Sequence, residues 1–127
     1  FALDAALDQF DAEGGVGGRH KRYAANCKIL TEGMRDMGFE TLLTDSLQAP
    51  IIVTFKMPAD PAFDFDAFYD ALGRRGYVIY PGKVTVAPSF RIGCIGHLGG
   101  DDMKGALDAV GEAIKEMGVK TGAPTAA

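Results

Sequence analysis

Arg91 is the residue whose type and setting most invite chemistry. It stands between Phe90 and Ile92 in an apolar run, and a guanidinium in such a place must be paired or must face a site. Its planar fork of donors suits a carboxylate or a phosphonate, which it can grip in bidentate fashion. The alternative is a structural ion pair with one of the 17 acidic residues, and the pattern by itself leaves both readings open.

Other candidates carry less. Lys83 follows Tyr80, Pro81 and Gly82, just beyond a tight turn. A desolvated lysine can form a Schiff base, but nothing around Lys83 implies burial, so a solvated loop lysine is the better reading. The run Gly14, Gly15, Val16, Gly17, Gly18 invites comparison with phosphate-binding loops, yet it matches neither G-x-G-x-x-G after a strand nor the P-loop spacing. A flexible hinge between two helices accounts for it. His20, His97, Cys27 and Cys94 are scattered without metal-ligand spacing, so no metal is expected. Asp101 and Asp102 could serve as an acid–base pair, but the start of a helix explains them equally. Ser46 and Ser89 lack the G-x-S-x-G elbow of a nucleophile. On residue chemistry the chain reads as a binding or structural domain with one arginine of interest.

The elements that must position these residues follow from apolar periodicity. Leu3, Leu7 and Phe10 follow at helical spacing, as if a helix were already under way at Phe1 and the chain were a piece of something longer. Tyr23, Cys27, Leu30, Met34 and Met37 form one stripe of a second helix, ended by Gly38 as a left-handed cap. Residues 39–43 suit a short edge strand and 51–55 a buried one opened by Pro50. Phe65, Phe68, Tyr69 and Leu72 mark a helix between an Asp64 cap and a Gly76 stop. Strands are expected over 77–80 and 90–95, a last helix over 101–117, and a disordered tail of small residues over 119–127. The sum is an α+β fold, a small and mostly antiparallel sheet with helices packed on it.

Composition sets the outer bounds. A chain of 127 residues, 47% apolar, is long enough for one domain with a real core. Its net charge of −4 is spread along the chain, with no basic patch for a nucleic-acid partner. No apolar run approaches the roughly 20 residues of a membrane span. Buried, reduced cysteines and a soluble, cytoplasmic protein are the expectation.

Several segments carry a family resemblance. Glu13, Gly14, Gly15, Val16 followed by Arg19, His20, Arg22 and Tyr23 resembles the EGGV…RHxRY pattern of 2-aminoethylphosphonate:pyruvate transaminases, which are class V, fold-type I aminotransferases dependent on pyridoxal phosphate (PLP). Gly33 to Phe39 resembles the GMRxxGF helix end, Ala49 to Ile52 the SPII strand, and the segments GYVIYPGK (76–83) and FRIGCIG (90–96) the family's GFVIYPGK and FRIGNIG, with Cys94 in place of asparagine.

The resemblance implies that residues 1–127 form the small C-terminal domain, with 1–12 the end of an interdomain helix and a large PLP-binding domain lying elsewhere. The Schiff-base lysine and the aspartate at the pyridine nitrogen then have no counterpart here, and Lys83 belongs to the turn. Arg91 would hold the acidic group of the substrate. The implied parent is a cytoplasmic homodimer moving the amino group of 2-aminoethylphosphonate to pyruvate, giving phosphonoacetaldehyde and alanine, and this chain alone would be inactive. Related enzymes of the class act on alanine, serine and glyoxylate. The rival reading is a free-standing, non-catalytic α+β ligand-binding or interaction domain. An exposed apolar face, for which Ile51, Phe63 and Tyr80 are the candidates, would distinguish the two.

Overall fold

In the computed structural model, residues 1–82 and 87–125 are described. Helix α1 (Ala2–Ala12) leads into α2 (Gly15–Asp36), followed by strand β1 (Ile52–Lys56), helix α3 (Phe65–Arg74), strands β2 (Tyr80–Pro81) and β3 (Ser89–Gly93), and helix α4 (Gly100–Glu116). The three strands form one antiparallel sheet in the order β1-β3-β2, so β3 is central. This is the expected α+β architecture.

Side chains alternate along the central strands. Val53 and Phe55 on β1, with Phe90 and Ile92 on β3, point inward and are buried. Phe90 is the hub. Its ring lies 5.8 Å from that of Phe39, 5.7 Å from Phe55 and 5.4 Å from Phe68. Helices α2 and α4 close over this face so tightly that a Cβ on Gly33 would come within 2.3 Å of Leu107. The intervening residues Ile52, Thr54, Arg91 and Gly93 lie on the opposite face, where no described helix packs.

Helices α2, α3 and α4 stop by one device. Gly38, Gly76 and Gly118 take left-handed backbone angles, and the next amide, of Phe39, Tyr77 and Val119, turns back to the carbonyls of Met34, Leu72 and Ile114. Asp64 caps α3 as expected, its carboxylate accepting from the Ala67 amide at 2.8 Å. Asp102 likewise accepts from the Gly99 amide at the start of α4, at 2.8 Å, so a helix start accounts for that carboxylate.

Four expectations need correction. Residues 39–43 make one bridge, Thr41 to Phe55, not a strand. Arg35 reaches Thr41 and Asp45, and Thr41 Oγ1 donates to the Leu43 carbonyl, so the chain curls away. The strand over 77–80 shrinks to β2, because Tyr77 completes the α3 stop and points at α4, where its hydroxyl lies against Gly105. The glycine run separates two helices as expected, but the turn is confined to Gly14, since Gly17 and Gly18 sit inside α2. Finally, residues 119–125 are packed. Val119 is buried, the Lys120 amide donates to Asp60, and Gly122 slides beneath the Phe39 ring where any side chain would collide. Small residues here mean a close passage, a pattern that resembles disorder in composition.

Truncating Phe90 to alanine should cost about 3–5 kcal/mol of folding stability. The shift in the urea midpoint checks this, and a cost near that of a surface substitution would remove Phe90 from the centre of the core.

Candidate anion-binding site

β3 is committed to the core through Phe90 and Ile92, which turns Arg91 to the open face of the sheet. Its backbone neighbours are Thr54 on β1 and Tyr80 on β2. One terminal nitrogen donates to the Pro81 carbonyl at 3.3 Å, and the buried Nε has no partner among the described residues. Its contrast with the other arginines is informative. Arg19 and Arg22 share Glu13, Arg35 holds Asp45, and Arg74 and Arg75 share Glu116. Among the described residues, Arg91 is the one arginine without a carboxylate. The structural ion pair left open by the sequence is therefore absent among those residues.

Around Arg91 the open face is apolar. Ile51, Val78, Tyr80, Ile95 and Leu98 line a shallow cavity of about 370 Å³. Val78 is 74% exposed and Tyr80 54%. Phe63, expected on this face, instead packs against the core with its ring 5.3 Å from that of Phe68. Ser89, two residues before Arg91, is 3% exposed; its hydroxyl also lacks a partner among the described residues and lies beneath Gly82.

A second polar centre was not singled out from sequence. Gly14, in the left-handed region at φ +98°, turns the chain sharply between α1 and α2. Gly18 then presses against the Glu13 carbonyl, where a Cβ would come within 1.8 Å. This brings the Glu13 carboxylate onto Nε of both Arg19 and Arg22. Arg22 Nη1 continues to the Gly96 carbonyl and, at 2.9 Å, to that of Leu98. Asn26, 1% exposed, donates to the carbonyls of Cys94 at 3.2 Å and Leu98 at 2.9 Å. The loop leaving β3 is thus held from α2. The signal lay in a carboxylate six and nine residues before two arginines across a glycine kink.

The remaining sequence candidates do not converge. His97 meets Gln9 at 3.0 Å, while His20 lines a separate hollow with Cys27 and Arg35. Cys27 and Cys94 are buried free thiols, and Cys94 Sγ donates to the Ile51 carbonyl at 3.4 Å; burial raises both, and the Cys94 thiol is pushed up to about 12, with Cys27 adding to the effect. No group of three metal-ligating side chains occurs among the described residues, and no described helix is long and apolar enough to cross a membrane. Lys83 lies outside the described residues.

Comparison with known proteins bears on this arrangement. No family model matches the chain. It is 56% identical over 118 residues to the 2-aminoethylphosphonate–pyruvate transaminases of Burkholderia mallei and Burkholderia pseudomallei, and 55% to that of Burkholderia thailandensis. The chain is homologous to these transaminases. The match takes in 93% of this chain and 32% of each relative, so the chain spans about a third of their length. Among solved structures, the pyridoxamine–pyruvate aminotransferase of Mesorhizobium loti superposes with a TM-score of 0.75 at 28% identity, over 94% of this chain and 32% of that one. The ureidoglycine–glyoxylate aminotransferase of Bacillus subtilis gives 0.75 at 19% identity, over 89% and 30%, which speaks to the fold alone. The α+β fold is thus one that aminotransferases contain, and the EGGV…RHxRY and FRIGCIG segments that carry the family resemblance meet physically where Arg22 donates to the Gly96 carbonyl.

Its two arginine partners hold the Glu13 carboxyl well below the ordinary value of 4.5, at about 2. A lowered carboxyl contributes stability above its ordinary value and loses that contribution as pH falls toward the lowered one. Urea midpoints followed against pH should therefore run parallel for the wild type and Glu13→Gln above 4.5. Between 4.5 and about 2 the wild type should fall more steeply. Parallel curves throughout would mean that Glu13 is not engaged by its arginines in solution.

Proposed function

We propose that this chain serves as the substrate-gripping C-terminal domain of a PLP-dependent transaminase that moves the amino group of 2-aminoethylphosphonate to pyruvate, yielding phosphonoacetaldehyde and alanine. Arg91 orients the substrate's acidic group. The observation that carries this reading is that Arg91 alone lacks a carboxylate partner among the described residues, on the sheet face turned away from the described helices. A guanidinium in that position has donors free for an external phosphonate or carboxylate, which it can meet in bidentate fashion.

Every described lysine is exposed or half-exposed, which supports the reading that the Schiff-base lysine is not among the described residues. The cofactor and its chemistry are accordingly assigned to a larger domain outside this chain, with 1–12 as the end of the connecting helix. The exposed cluster of Ile51, Val78, Tyr80, Ile95 and Leu98 supports that assignment over a free-standing module, because a self-sufficient small domain does not leave such a face open. A cytoplasmic homodimer is the assembly that the family resemblance implies.

Arg91→Ala in the full-length protein should raise KM for 2-aminoethylphosphonate by about two orders of magnitude, the scale of a lost charge-assisted pair, with PLP still bound by its absorbance. Arg91→Lys should also impair the enzyme, since a single ammonium does not replace the fork. Unchanged steady-state kinetics in both variants would take Arg91 out of the site.

A further inference from the structure

The loop leaving β3 has few holds of its own. After the Cys94 amide donates to the Ile51 carbonyl at 3.0 Å, residues 95–99 belong to no strand or helix. Its carbonyls at 94, 96 and 98 turn toward α2, where Arg22 and Asn26 take all three. Its apolar side chains Ile95 and Leu98 wall the cavity shared with Tyr80, whose backbone pairs with Arg91, and Leu98 also borders a hollow against Met103 and Ala106 of α4. One loop therefore has the α2 clamp on one side and the Arg91 face on the other.

We propose that Glu13, Arg22 and Asn26 are positioning residues for Arg91, setting the loop of residues 94–99 and with it the wall against which the substrate anion is held. The proposal rests on the reading of Arg91 as the anion grip. Arg22 can do this because its fork is divided: Nε is pinned by Glu13 while Nη1 bridges two carbonyls, so the guanidinium plane cannot pivot. Glu13 also lies at the α1–α2 kink, with Arg19 stacked over Phe10 of α1 at 5.2 Å and Gln9 of α1 bonded to His97 of the loop. The direction of α1 and the placement of the loop are thereby set by one carboxylate. None of this passes through the aromatic core around Phe90, so the clamp can be loosened without unfolding the domain.

The test uses Arg22→Lys and Glu13→Gln in the full-length protein, each alone and combined with Arg91→Ala. Each single variant should raise KM for 2-aminoethylphosphonate about tenfold, with kcat within about twofold and a far-ultraviolet circular dichroism spectrum like that of the wild type. In the Arg91→Ala background neither should raise KM further, because residues that act through Arg91 lose their effect once it is gone. Two full sets of additive effects, or unchanged KM in both single variants while Arg91→Ala raises it, would overturn the positioning role and leave the function standing. Unchanged KM in Arg91→Ala itself would remove the functional reading, and the positioning role with it.

Discussion

Phe90 and Ile92 must both enter the core, and a strand has only two faces. That constraint sends Arg91 to the side that the helices do not cover. Moving the register by one residue would bury the guanidinium among phenyl rings, at a cost that no pairing in that region could offset. The aromatic cluster around Phe90 is therefore both the stabilising centre of the domain and the reason its one arginine without a carboxylate, among the described residues, faces outward. Core and site are two sides of a single strand.

Electrostatics then separate the arginines by task. Two carboxylates, Glu13 and Glu116, each serve a pair of arginines, and both are held below their ordinary values, first by a side-chain hydrogen bond from Arg22 and Arg75 respectively. Such pairs fix geometry more than they add stability. Arg75 also donates to the Ala71 carbonyl, tying the end of α3 to α4 through Glu116, much as Arg22 ties α2 to the β3 loop. Arg91 alone among the described arginines is held by no carboxylate.

Much of this was legible in the sequence. Arg91 stood out because it breaks an apolar run, and Gly38, Asp64 and Gly76 marked helix ends through local chemistry that tertiary context does not override. The family resemblance was readable from short segments that the comparisons bear out. Other features were hidden for physical reasons. The Glu13 clamp depends on a kink that brings together residues six and nine apart, and on a loop more than 70 residues away, which periodicity does not encode. Disorder was inferred from small residues at 119–127, but residues 119–125 pass close to Phe39 and Asp60, and only the packed structure shows why Gly122 can have no side chain. Phe63, expected on an exposed face, instead pairs with Phe68 in the first turn of α3, on the core side of the Asp64 cap.

The most direct measurement is a crystal structure of the full-length protein with 2-aminoethylphosphonate bound. The account predicts the terminal nitrogens of Arg91 at hydrogen-bond distance from the phosphonate oxygens, with the face of Ile51, Val78 and Tyr80 covered by the remainder of the enzyme. An anion held entirely by other residues, with Arg91 turned onto a protein carboxylate, would contradict it.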